Sequence, residues 1–260
     1  LKPELIHIGS ITIYSYGLFI LIGVVLGYLY FLKTSKSYGL TSDDVSGLFL
    51  WCVFGVFVGG KIFYFFENPS IYIQDPSKML ENPGEGFVFY GSFLFTVPIL
   101  IWWFRKHKLP VWEMFDIVGV SGALVHAVGK IGCFMGGCCH GKICNNSFGV
   151  VYRDIHSHAE PLGVPLYPVQ LWDSAIIFCA LGIMIWMKNR KQFNGQLFLI
   201  YGLVYALGRF LTESYRGDEE RGFLFGGLLS HSQFIAILVF SACLGIYIFR
   251  LKRYPKTDKG

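Results

Sequence analysis

An all-α, polytopic membrane protein with seven transmembrane helices is the architecture to expect from these 260 residues. Three observations lead there. The chain is 53% hydrophobic and only 15% charged, whereas a soluble globular chain carries roughly 25% charged residues. Its apolar residues fall in seven runs, each near the ~20 residues that a spanning helix needs. The loops between the runs alternate between basic and acidic or mixed, the pattern that sets orientation across a bilayer. Backbone groups in lipid must bond internally, so each span is expected to be helical. The chain reads as a single integral membrane domain over 1–260, without an obvious internal repeat or low-complexity tract.

The first run covers about 11–32. It is about twice the length of a signal-peptide core, and no small-residue cleavage site follows, so it is expected to stay as a span. The second, about 47–66, holds Gly59 and Gly60 before Lys61. Lys61 either snorkels to the headgroups or meets a phosphate. The third, about 86–104, opens with Gly-rich sequence and Tyr90. The fourth, about 114–136, ends in a polar stretch and opens into the longest polar loop, 137–168. The fifth, about 169–187, follows Pro168, which suits a helix start. Tyr167 and Trp172 suit an interfacial belt. Gln170 and Asp173 share one helical face, and Asp173 lies inside the apolar run. The sixth, about 196–215, closes with Arg209, Glu213 and Arg216; the seventh, about 232–250, runs into a basic tail.

Basic residues cluster after alternate runs. Lys33 and Lys36 are offset by Asp43 and Asp44; then come Arg105 to Lys108, Lys188 to Lys191, and the tail from Arg250 to Lys259. The positive-inside rule places the C-terminus in the cytoplasm and the N-terminus outside, with 137–168 as an outward loop. The net charge of +5 then reflects topology and contact with anionic lipid rather than nucleic acid. With this orientation, Lys61, Tyr90, Lys130, Cys133, the turn after it, Arg209, Glu213 and Arg216 all gather toward the outer leaflet. A multi-pass location in a membrane is expected.

The most unusual stretch is GKIGCFMGGCCHG, Gly129 to Gly141, with five glycines, three cysteines, one lysine and one histidine. Glycine lets backbone or ligand approach closely. His126, Lys130 and Cys133 share a helical face, and ionisable groups inside a membrane segment are functional candidates. Arg209, Glu213 and Arg216 form a second stripe, which Tyr205 extends inward. An arginine fork suits a phosphate, and Glu213 between two arginines would fix them and lower the cost of burying them. A helix-packing ion pair is the simpler reading. Cys133, Cys138, Cys139 and Cys144 lie within twelve positions. They read as disulfides that pin an outward loop, as reactive thiols beside Lys130 and His140, or as a metal site whose spacing matches no familiar zinc pattern. Cys52, Cys179 and Cys243 lie in apolar runs and read as inert. His126 is either a packing residue or a proton acceptor, and His140 is an acid–base candidate.

Taken in order, these pieces resemble the prolipoprotein diacylglyceryl transferase family. Tyr16-Gly17 is similar to that family's N-terminal Tyr-Gly pair, and Gly59-Gly60-Lys61 to its Gly-Gly-Arg. Gly129 to Gly141 resembles its signature G-R-x-G-N-F-x-N-x-E-x-x-G. Tyr167 to Leu171 is similar to its Y/H-P-S-Q-L, Gly208 to Arg216 to its G-R-F-x-x-E-x-x-R, and Ser230 to Gln233 to its S-M-G-Q. The resemblance spans nearly the whole chain. It implies transfer of the diacylglyceryl group of phosphatidylglycerol to the lipobox cysteine in the signal peptide of a prolipoprotein, with glycerol phosphate leaving and no metal or organic cofactor.

Residue by residue, it implies catalytic roles for Arg209, Lys130, Tyr90 and Cys138, to which the place of His140 in the turn adds an acid–base candidate. It implies lipid or phosphate contacts for Lys61, Tyr16, Gly132, Cys133, Gly141, Gln170, Glu213 and Arg216. The chain departs from the family pattern at named positions. Lys130 stands for the signature arginine, Cys133 for its first asparagine, and Cys138 for its glutamate. Tyr90-Gly91-Ser92-Phe93 stands where the family has His-Gly-Gly-Leu. The phosphate-handling arginines are kept and the acid–base positions are changed. Two further readings stay open: a paralogous transferase whose cysteines act on another acceptor or lipid, and a non-catalytic lipid-binding membrane protein.

Overall fold

The computed structural model describes residues 1–8, 11–67, 89–145, 147–217 and 223–254. Residues 68–88, the side chains of Phe89 and Tyr90, 218–222 and the last six positions lie outside the described set. A β-hairpin, β1 (Glu4–Ile8) with β2 (Ile11–Tyr14), leads into α1 (Ser15–Ser35). Helices α2 (Ser42–Glu67), α3 (Phe89–Lys106) and α4 (Val111–Gly136) follow. A short pair, β3 (Val150–Val151) with β4 (Pro165–Leu166), precedes α5 (Val169–Met187) and α6 (Gln196–Glu213). A second short pair, β5 (Phe223–Leu224) with β6 (Leu229–Ser230), leads into α7 (His231–Arg253).

The described chain is thus mostly helical, with small antiparallel pairs between helices. Five helices, α1, α2, α4, α5 and α7, are long and apolar enough to cross a membrane by length and composition. The polar side chains of Gln196, Arg209 and Glu213 make α6 less apolar than these. The expected first span begins at Ser15 rather than residue 11, because Ile11 to Tyr14 pair with β1. Large apolar side chains stay exposed along the helices, among them Leu21, Leu50, Val53, Trp186 and Phe249. Such surface suits lipid, not water.

The chain divides into two compact units: residues 1–31 with 115–260, and residues 32–114. In the second unit, Thr41 and Asp44 cap α2 reciprocally, with Asp44 N–H donating to Thr41 Oγ1 and Thr41 N–H donating to Asp44 Oδ2. This is an N-terminal box that satisfies otherwise orphaned donors. Helices α2 and α3 cross closely at Gly59 and Gly91, where a Cβ on either would strike the other's carbonyl oxygen. Ser92 Oγ donates to Val56 O at 2.8 Å across the same crossing.

In the first unit, α4, α5 and α6 share an apolar core of Val120, Ala123, Ala127, Ile177, Leu181, Met184, Leu197 and Ile200. Ser174 Oγ donates to Ala127 O at 2.8 Å and ties α5 to α4. Asp116 of α4 accepts from the backbone N–H groups of Gly195 and Leu197, at 2.9 and 2.8 Å. A carboxylate there satisfies the start of α6 and complements its dipole. Helix α1 approaches α4 at Gly23, Gly27 and Gly132, where added Cβ atoms would meet backbone of the facing helix. These crossings bring the first turn of α1 beside the end of α4.

Candidate functional site

The C-terminal ends of α4 and α6, and the N-terminal ends of α1, α5 and α7, bring one group of polar side chains of the first unit together. Lys130 Nζ of α4 lies 2.7 Å from Asp173 Oδ2 of α5. Their side chains are only 13% and 3% exposed, so each charge is compensated chiefly by the other. Asp173 Oδ1 accepts from Thr212 Oγ1 of α6 at 2.8 Å. One turn away, Arg209 Nη2 lies 2.7 Å from Glu213 Oε2 and donates to Ser232 Oγ at 3.3 Å. Arg209 Nη1 is buried with no hydrogen-bond partner among the described residues. Ser230 Oγ donates to Glu213 Oε1 at 3.0 Å and accepts from Gln233 N–H at 3.1 Å. The capping box of α7 therefore also anchors the carboxylate of α6. Arg209 acts electrostatically on Asp173, and Arg216 acts on Lys130, which links the two pairs.

Arg216 does not continue the α6 stripe as the spacing suggests. The helix ends at Glu213, and the chain turns so that Arg216 bridges Gly141 in antiparallel fashion. Gly141 N–H donates to Tyr167 O at 2.9 Å, Lys142 N–H to Tyr215 O at 2.8 Å, and Gly217 N–H to His140 O at 3.1 Å. The turn after α4 is thus clamped between the start of α5 and the end of α6. A Cβ on Gly141 would meet Tyr167 and Tyr215 backbone oxygens at 2.6 and 2.9 Å. Only glycine fits this approach. A cavity of about 850 Å³ opens beside the clamp, lined by Gly141, Glu213, Arg216, Ser230 and Gln233 among others.

The sulfur atoms of Cys133, Cys138 and Cys139 lie within 4.8 Å of one another. No disulfide joins the described cysteines. Cys144 is fully buried apart from this trio, where its backbone N–H donates to Pro165 O. Tyr16, in the first turn of α1, is in electrostatic range of all three thiols. Gln170 Nε2 donates to Cys138 O at 2.8 Å, and its buried Oε1 has no hydrogen-bond partner among the described residues. Hydrogen bonds with Cys133 and Cys138, then the charges of Arg216 and Lys130, draw the Cys139 thiol well below its ordinary value. The converse hydrogen bonds with Cys133 and Cys139 push the Cys138 thiol up. One anion shared among three close sulfurs is the expected result of their mutual coupling.

The model of the prolipoprotein diacylglyceryl transferase family matches residues 3–249. The chain belongs to the prolipoprotein diacylglyceryl transferase family. A phosphatidylglycerol–prolipoprotein diacylglyceryl transferase of Clostridium tetani (strain Massachusetts / E88) is 31% identical over 256 residues, covering 98% of this chain and 100% of that protein. The enzyme named phosphatidylglycerol–prolipoprotein diacylglyceryl transferase 2 of Clostridium perfringens (strain 13 / Type A) is 34% identical over 255 residues, 97% of each chain. A relative of the same name from Dehalococcoides mccartyi (strain CBDB1) is 24% identical over 259 residues.

Within this transferase family member, the first unit brings together Tyr16, Lys130, Gly132, Cys133, Cys138, His140, Gly141, Gln170, Arg209, Glu213 and Arg216. Lys61 belongs to the second unit, where it is buried on α2, and the Tyr90 side chain lies outside the described residues. His140 has both ring nitrogens engaged. Nδ1 meets Gly141 O at 3.0 Å, and Nε2 accepts from Glu160 N–H at 3.2 Å. His126 Nδ1 meets Tyr201 Oη at 2.7 Å. Sequence reasoning marked Asp173 as an oddity and did not pair it with Lys130. It also passed over Thr212 and used Ser230 only as a motif match. The available signal was the burial of a carboxylate in an apolar run, which demands a cation nearby.

Proposed function

We propose that this protein transfers the diacylglyceryl group of phosphatidylglycerol to the cysteine thiol of a prolipoprotein lipobox, the first step of lipoprotein maturation. The family match over nearly the whole chain and the names of its relatives support the reaction. The buried pairs Lys130–Asp173 and Arg209–Glu213, with Glu213 and Arg216 lining the cavity of about 850 Å³, carry the assignment of the site. A phosphodiester that leaves as a phosphate monoester gains negative charge, and preorganised cations stabilise that change. Lys130, Arg209 and Arg216 meet the phosphate. Asp173 and Glu213 hold the first two in place while keeping them ionised. The buried Nη1 of Arg209 supplies an uncommitted donor. Gln170 Oε1 is an acceptor for the glycerol or thiol of a substrate. His140, bonded at both nitrogens, holds the turn at Gly141 rather than moving protons; Tyr90 keeps its catalytic assignment and Lys61 its lipid or phosphate contact.

In this reading the chain is one integral domain of seven spans in a bacterial plasma membrane. Its N-terminus is outside, its C-terminus is cytoplasmic, and the site lies at the outer leaflet. The basic clusters after alternate helices support that orientation. The decisive test incubates the purified protein with phosphatidylglycerol and a lipobox peptide and looks for a diacylglyceryl thioether by mass spectrometry. The thioether should form, and Arg209→Ala should lose it by a factor of ~100 or more. No product from intact protein that still retains phosphatidylglycerol would instead favour a lipid-binding protein. The clustered thiols support one second reading, transfer through a cysteine. A covalent lipid adduct on Cys138 or Cys139 would establish it.

A further inference from the structure

Phosphate handling leaves the three clustered thiols without a role. Cys133 lies in the last turn of α4, which ends at Gly136, and Cys138 and Cys139 follow just beyond that end. Zinc–sulfur bonds of about 2.3 Å set tetrahedral thiolates roughly 3.8 Å apart. Sulfurs already within 4.8 Å of one another need little movement to reach that spacing. Neighbouring residues usually point apart, but Cys139 holds a left-handed φ of 59°, rare for a residue with a side chain. This conformation accompanies the entry of both neighbouring thiols into one group. No fourth Cys, His, Asp or Glu joins the group among the described residues. His140 is committed at both nitrogens. Structural zinc sites close four protein ligands around the ion, whereas catalytic sites keep three and leave one position open. Three thiolates around Zn²⁺ carry one net negative charge, and Lys130 and Arg216 both act on Cys139 to offset it.

We propose that Cys133, Cys138 and Cys139 bind one Zn²⁺, whose fourth position takes the cysteine thiol of the acceptor. The identity of that acceptor rests on the function proposed above; the metal site does not. Binding of the ion releases the protons of the three protein thiols to solvent. The acceptor thiol releases its own proton to solvent on coordination, which activates it as a nucleophile. Its sulfur then forms a bond to the glyceryl carbon as the C–O bond to phosphate breaks. The electron pair of that bond departs with glycerol phosphate, toward Lys130, Arg209 and Arg216. The product thioether is a weak ligand and leaves the ion, which keeps its oxidation state throughout. Cys133, Cys138 and Cys139 then supply thiol activation by coordination, in place of a side-chain base.

The test strips the reduced, detergent-solubilised full chain of metal and titrates it with zinc sulfate against a chromophoric chelator. Zinc K-edge absorption is recorded with and without a lipobox peptide. One zinc per chain is expected, with three sulfur neighbours that become four when peptide is added. Cys133→Ser, Cys138→Ser and Cys139→Ser should each weaken zinc at least ~10-fold, and Cys179→Ser should not. Transfer to the peptide should stop on chelation and return with zinc. No retained zinc, a shell that ignores the peptide, a closed four-ligand protein site, or full transfer by metal-free protein would each overturn the proposal. Three sulfurs rising to four without transfer from phosphatidylglycerol would uphold the metal site and refute the proposed reaction instead.

Discussion

Lys130 and Asp173 show how a membrane protein keeps an ionised lysine among apolar helices. The pair is 2.7 Å apart, and the carboxylate side chain is 3% exposed. Removing one partner leaves a buried charge uncompensated, while removing both leaves none. Asp173→Ala should therefore destabilise the protein by about 3–5 kcal/mol, and Lys130→Met combined with Asp173→Leu by clearly less. Thermal unfolding in detergent reads the difference. Cys139 gives a pH prediction. A thiol near the ordinary pKa of ~8.5 alkylates about tenfold more slowly for each pH unit below it. Because the folded-state value of Cys139 is lowered, its thiolate persists to lower pH than that of an ordinary thiol. In metal-free protein, iodoacetamide labelling of Cys139 should fall less steeply from about pH 8 to pH 6 than that of an ordinary thiol, whereas Cys138, whose value is raised, should label more slowly. The stability that the Cys139 thiolate adds is present above the unfolded value and lost only when pH falls through the lowered one.

At the scale of elements, the helix ends matter more than the helix bodies. The apolar runs placed the fifth helix at 169–187, and α5 is Val169–Met187. The sixth was drawn to 215, yet α6 stops at Glu213 and Arg216 leaves the helix to pair with Gly141. Helical spacing had placed Arg209, Glu213 and Arg216 on one stripe, but the last of them reaches the site through a turn. Periodicity registers a helix and is silent on where tertiary hydrogen bonds end it. The clamp at Gly141 is testable. Gly141→Ala should push the turn away from Tyr167 and Tyr215, cutting transfer about tenfold or more while the helices persist. Circular dichroism and the thioether assay read the two effects separately. Ser230→Ala should cost about 1 kcal/mol through the lost α7 cap, with a further loss because Glu213 forfeits a buried hydrogen bond.

Across the whole molecule, the proposed orientation predicts that a membrane-impermeant maleimide reaches the outward turn from outside the cell. Cysteines of the trio should label from that side after reduction and chelation, and Cys52 should not; labelling of the trio only from the cytoplasmic side would reverse the topology. Residue order alone was enough to place the chain in a bilayer and to point to its family. Run length, loop charge and motif order are properties of the chain that survive without folding. The pairing of Lys130 with Asp173, 43 positions apart, was decided only by the packing of α4 against α5. The gathering of three of the four cysteines between 133 and 144, with Cys144 set aside, was decided only by the path of one clamped turn. Side chains far apart in sequence meet only once helices and turns are fixed against one another, and the chemistry of the site depends on those meetings.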